Sequence, residues 1–146
     1  MPLASGCQHK DDPQPASYDE LALDTGHWEW ENTTLGFSPL QTPATIGFTR
    51  QLTFKTGGQV VIQHSQKRVK TTDYALSMGA LLGCGDAQQP VPIITYEADA
   101  EVKVGLGGSR KAYTVSKSGV DQYLFLTYDY ACVDGGAYET YHWVKE

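Results

Sequence analysis

Carboxylates, histidines, glycine-rich turns and cysteines are the residues of this 146-residue chain that could carry chemistry. Glu29 and Glu31 are two apart, about 7 Å along a strand, a spacing that two carboxylates in glycoside hydrolysis can use. Trp28 and Trp30 hold the alternate positions, however. Two tryptophans claim the buried face of a strand, so the acids point to solvent. His9, His27, His64 and His142 form no pair at ligand spacing, and no Cys-x-x-Cys exists, so no metal site is expected. Gly105-Leu106-Gly107-Gly108-Ser109-Arg110-Lys111 has the glycines of a phosphate loop. It lacks Gly-Lys-Ser/Thr and a following helix. Asp129 to Gly135 lacks the alternating oxygen ligands of a calcium loop. The residues assemble no catalytic set and call for no cofactor, so the expectation is a protein that is not an enzyme.

The cysteines point to a compartment instead. Ala4-Ser5-Gly6-Cys7 has the small residues that precede a lipidated cysteine, with Cys7 as the acylation site. Leu3 stands one place earlier than in the usual pattern. The six residues before Cys7 also cannot hold the charged start and apolar core of a whole signal peptide, so the leader is expected to be truncated. Without it the chain would be soluble and unacylated. In an exported protein Cys84 and Cys132 are candidates for a disulfide, which leaves Cys7 for the lipid. In a reducing compartment they would be two free thiols.

The net charge of −6 is concentrated near the start. Residues 8–31 carry seven acids and one base, while residues 32–146 carry ten of each. Nucleic acid is excluded as a partner, because phosphates require a basic face. Fifteen glycines and seven prolines suit a turn-rich β protein of one domain. No run of residues is long and apolar enough to span a bilayer as a helix.

The elements that would position any site follow from period-two patterning. Residues 1–25 are expected to be a truncated leader and a flexible tether, rich in charge with Pro13 and Pro15. Leu21 and Leu23 are placed to cover one end of the domain, which occupies 26–146. A strand begins at His27. Residues 33–47 contain Gly36, Pro39, Pro43 and Gly47 and are expected to be a long loop over the mouth of the fold. Phe48 to Lys55 alternates, with Phe48, Arg50, Leu52 and Phe54 on one face. Gly57-Gly58 makes a hairpin turn to a strand from Gln59 to Ser65. Further strands are expected at Val69–Met78, Pro92–Tyr96, Ala98–Val104, Lys111–Ser116, Gln122–Tyr130 and Tyr138–Lys145. Ala80-Leu81-Leu82 could form one helical turn. The expected fold is all-β: a closed or nearly closed antiparallel barrel of about eight strands.

The ordered set Gly26-His27-Trp28, Trp28-Glu29-Trp30, Thr42-Pro43, Gly47-Phe48-Thr49-Arg50, Leu52-Thr53-Phe54 and Gly57-Gly58 resembles lipocalin-like domains of small bacterial envelope lipoproteins. Cys132-Val133-Asp134-Gly135 and Tyr141-His142-Trp143-Val144 are also similar to theirs. The resemblance covers residues 26–145, except that 79–110 matches weakly. It implies a lipocalin-like barrel in the cell envelope, lipid-anchored on the periplasmic side or the cell surface. It implies no particular activity, since most such domains have none assigned.

Two functions fit these residues. One is binding of a small apolar or amphipathic ligand in the barrel, with Trp30, Arg50, Phe54 and Tyr74 as the contacting residues. There Arg50, the only charge on its face, would meet an anionic head group. The other is a protein-interaction or inhibitor module with a solid core, in which Arg50 closes the barrel by stacking on a tryptophan. A membrane contact is expected through the lipid anchor only.

Overall fold

The computed structural model describes residues 18–23, 25–36, 39–65, 68–85, 89–97, 109–132 and 136–146. The expected leader, Cys7 and the strand at 98–104 lie outside them.

Among the described residues nine antiparallel strands form one sheet: β1 (His27–Leu35), β2 (Arg50–Phe54), β3 (Gln59–His64), β4 (Arg68–Asp73), β5 (Ala75–Gly79), β6 (Val91–Thr95), β7 (Arg110–Ser118), β8 (Asp121–Tyr128) and β9 (Ala137–Val144). Their order is β4-β3-β2-β1-β9-β8-β7-β6-β5, so consecutive strands pair except β4 and β5, which are the two ends, and β1 meets β9. The sheet curls into an open half-barrel, where a closed or nearly closed barrel of about eight strands was expected. The expected single strand Val69–Met78 is two, because Tyr74 stands at a corner. Before it the chain pairs with β3, and after it with β6. The Tyr74 N–H donates to the Gly58 carbonyl at 2.8 Å and its hydroxyl to the Lys55 carbonyl at 3.1 Å. These bonds fix the corner against the β2–β3 turn. Gly58 makes that turn with φ +88°, a value that favours glycine.

Period two sets the faces, as expected. Trp28 and Trp30 of β1, Arg50, Leu52 and Phe54 of β2, and Leu124, Leu126 and Tyr128 of β8 all point inward and are buried. Each tryptophan withdraws on the order of 200 Å² from water, about 5 kcal/mol at 25 cal/mol per Å². In β1 the register slips between Trp30 and Asn32. This bulge at Glu31 turns Thr33 inward, out of step with the tryptophans, and Thr33 is buried.

Two expectations are corrected here. The folded part reaches back beyond residue 26. A short helix, α1 (Tyr18–Leu21), delivers Leu21 into the core, and the Trp28 indole N–H donates to the Leu21 carbonyl at 3.0 Å. Leu21 therefore does cover one end of the domain. The segment 33–47 is also not one long loop. β1 continues to Leu35, and Thr33 and Gln41 exchange backbone hydrogen bonds of 2.9 and 3.0 Å. A single helical turn, α2 (Pro43–Ile46), follows, with Thr42 and Thr45 as a reciprocal capping box. Ala80-Leu81-Leu82 forms no helix.

Candidate functional site

The inward faces of β1, β2, β8 and β9 bring a charged network into the core. Ala137, Glu139 and Tyr141 are the buried alternate residues of β9. Glu139 lies opposite Leu126 of β8, and Tyr141 opposite Trp30 and Leu124. The Glu139 carboxylate therefore meets the Arg50 guanidinium, which donates to it from Nη2. Thr33 donates its hydroxyl to the same oxygen at 3.1 Å, and the Trp30 indole N–H donates to Thr33 at 2.8 Å. The other carboxylate oxygen accepts from the Tyr128 hydroxyl at 2.7 Å and the Tyr141 hydroxyl at 3.3 Å. Four donors thus occupy the carboxylate, which stabilises its charge where water cannot.

A second cation lies beside this network. Lys111 of β7 is fully buried, and its ammonium donates to the carbonyls of Tyr96 (3.0 Å) and Ser109 (2.8 Å). It sits 3.2 Å from the Tyr96 ring centroid and 5.4 Å from that of Tyr128. Burial pushes the amine down to about 7, and the Glu139 charge works the other way. For Arg50, burial opposes the charge, but Glu139 together with Tyr141, Tyr128 and Tyr96 outweighs it, and the group titrates above its ordinary value. Burial raises the hydroxyls of Tyr96, Tyr128 and Tyr141, and the Glu139 charge adds to this in each case. These phenols stay protonated and serve as donors.

The four residues proposed as a ligand set fall into two pairs. Arg50 lies over the Trp30 ring at 5.1 Å, and the Phe54 and Tyr74 rings meet edge to face at 5.0 Å. Arg50 lines a cavity, together with Leu52, Ile62, Tyr96 and the Glu139 cluster. Its volume is about 10 Å³, space for one water molecule. Ligand pockets run to several hundred Å³. The Arg50 Nε is the one atom of that guanidinium that is buried and has no hydrogen-bond partner among the described residues.

Glu139, Tyr128, Tyr141 and Lys111 were not singled out from sequence. The signal was present for Glu139: it is the acid in the alternating row Ala137, Glu139, Tyr141, Trp143, just as Arg50 is the base in the row Phe48, Arg50, Leu52, Phe54.

A second constrained region lies at the end of the sheet. Cys84 and Cys132 are disulfide-bonded across 48 residues, as proposed. Asp129 is buried beside this bridge and accepts from the Leu82 N–H at 2.9 Å and from Arg110 Nη1 at 2.8 Å. Arg110 Nη2 also donates to the Ala80 carbonyl at 2.7 Å. Tyr130 takes φ +67°, rare for a side-chain-bearing residue, and its N–H donates to the Leu82 carbonyl at 2.7 Å. Gly83 and Gly136 both lie against Tyr130 so closely that a Cβ on either would overlap it. On the outer side of the sheet, Glu29 and Glu31 both approach His142, at 3.8 and 3.0 Å. Among the described residues no cluster of His, Cys, Asp or Glu is arranged to hold a metal ion.

No protein-family model, curated protein or solved structure matches the chain.

Proposed function

We propose that this is a non-enzymatic binding domain of the cell envelope that engages its partners through its outer surface, over a solid interior. The size of the cavity beside Arg50 among the described residues, about 10 Å³, carries this reading. Trp28, Trp30, Tyr128 and Tyr141 fill the space that a ligand would need. The polar groups inside serve one another: Glu139 has four donors, and Lys111 has two carbonyls and an aromatic face.

A lipocalin-like barrel is supported by the nine-strand meander and by the one-residue link at Tyr74 between the two end strands. An exported protein, lipid-anchored at Cys7, is supported by the Cys84–Cys132 disulfide, since such bonds persist in oxidising compartments. The partner class best suited to this arrangement is a macromolecule rather than a small apolar ligand. The ligand-binding alternative draws support from one observation, the unpartnered Arg50 Nε at the cavity.

Native mass spectrometry of protein purified without denaturation, with and without added fatty acid, separates the two. The solid-core reading expects the bare chain mass in both samples. A one-to-one fatty-acid complex would establish the alternative.

A further inference from the structure

We propose that the outer face of β7, β8, β9 and β1 binds an uncharged polysaccharide. This inference rests on the solid-core reading and names the partner class that this surface suits.

The outward row of β8 is Tyr123, Phe125 and Thr127. The Tyr123 and Phe125 rings stack 6.2 Å apart at 20°, and Phe125 is 40% exposed. Tyr138 on the neighbouring β9 is 45% exposed and lies opposite Thr127. Residue positions in diagonal register on adjacent strands are about 7–8 Å apart, which places Tyr138 next to Phe125 on the outer face.

Short hydroxyl side chains frame these rings. Phe125 has Thr114 on one side and Thr140 on the other. Tyr138 has Thr127 and Thr34, and Tyr123 has Ser116 on one side, with His142 as the exception on the other. High β propensity explains threonine and tyrosine on a sheet, but it does not require phenylalanine to be left facing water.

This composition selects a ligand chemistry. A sugar ring has patches of C–H and a rim of hydroxyls that both donate and accept. Aromatic faces are negative in their quadrupole and attract the C–H patches. Threonine hydroxyls donate and accept in turn. Their β-branched side chains are stiff and lose little freedom on binding.

The charges argue against a polyanion. Arg110 is the one arginine or lysine in these outward rows among the described residues, and its guanidinium is engaged by Asp129 and Ala80. At the other end Glu29 and Glu31 flank His142. The carboxylates can accept from sugar hydroxyls, and they repel a polyanion.

The test is electrophoresis in native gels cast with starch, a β-glucan or a galactomannan, with heparin as the polyanion. Retardation in at least one neutral gel and none in heparin is expected. Phe125→Ala should weaken it at least ten-fold and Thr140→Val several-fold. Val120→Ala, at the exposed tip of the β7–β8 hairpin, should leave it unchanged. The valine at 140 keeps the shape and β-branching of threonine, so loss in that variant reports the hydroxyl and not the fold. Free migration in every neutral gel would overturn the proposal. So would retardation that survives Phe125→Ala, or capture of a protein through this face without any polysaccharide. Fatty-acid binding by the same sample reads the interior separately. A positive result there would end the solid-core reading whatever the gels show.

Discussion

Replacing Glu139 with alanine removes the one anion of the buried network. Arg50 is only 4% exposed, and its Nη2 bond ends at that carboxylate. Its charge is then left uncompensated in a site closed to bulk water. Breaking a buried pair in this way costs about 3–5 kcal/mol, because desolvation of the surviving charge is no longer offset. The hydroxyls of Thr33, Tyr128 and Tyr141 lose an acceptor in the same step. For a folded part of this size the loss lowers Tm by roughly 15 °C. The Arg50→Met, Glu139→Leu double variant removes both charges and fills much of the volume. It should be more stable than Glu139→Ala alone, with a coupling of about 2 kcal/mol or more between the two sites. Urea unfolding of the four proteins supplies the cycle. Additive losses, or a cost below about 1 kcal/mol for Glu139→Ala, would refute the claim that Arg50 and Glu139 compensate one another in the buried network.

Three other outcomes follow from the same geometry. Lys111 holds its proton only up to about pH 7 when folded, whereas an unfolded lysine holds it to about 10.4, so the unfolded chain binds more protons between these values and stability should rise with pH across that window. Above about pH 10 the unfolded tyrosines ionise while Tyr96, Tyr128 and Tyr141 stay protonated, so stability should fall again; Lys111→Met should abolish the rise and keep the fall, as followed by unfolding at a series of pH values. Replacing Cys84 and Cys132 with serine opens a loop of 48 residues and should cost about 4 kcal/mol in chain entropy, read as the gap between unfolding curves with and without reductant in the parent protein and no gap in the variant. A Cβ at Gly136 would lie 2.1 Å from the Tyr130 carbonyl oxygen, so Gly136→Ala should cost about 1–3 kcal/mol in the same assay.

Much of the fold was legible because period-two alternation states which residues face inward. Trp28, Trp30, Arg50, Leu52 and Phe54 are buried as their spacing required. The corner at Tyr74 was not legible, since nothing local distinguishes a strand that changes partner from one that does not. Its cause is the pair of bonds to the β2–β3 turn, which are contacts between separate elements. The bulge at Glu31 was hidden for the same reason. Arg50 was recognised as the anomalous charge of its strand, and its stacking on Trp30 follows the expectation. Its partner Glu139 lies 89 residues away, and only the pairing of β1 with both β2 and β9 brings them together. Lys111 looked like the tail of a glycine-rich turn. Its burial under Tyr96 depends on the register of β6 against β7.

The central claim, a solid interior, is tested most directly by titrating the native protein with oleate while following tryptophan fluorescence. Trp30 packs against the Arg50 guanidinium at the wall of the cavity, so a chain entering there must change its surroundings. The prediction is no saturable change in intensity or wavelength up to the solubility limit of the fatty acid. A saturable change at one oleate per chain, lost in Arg50→Met, would contradict it.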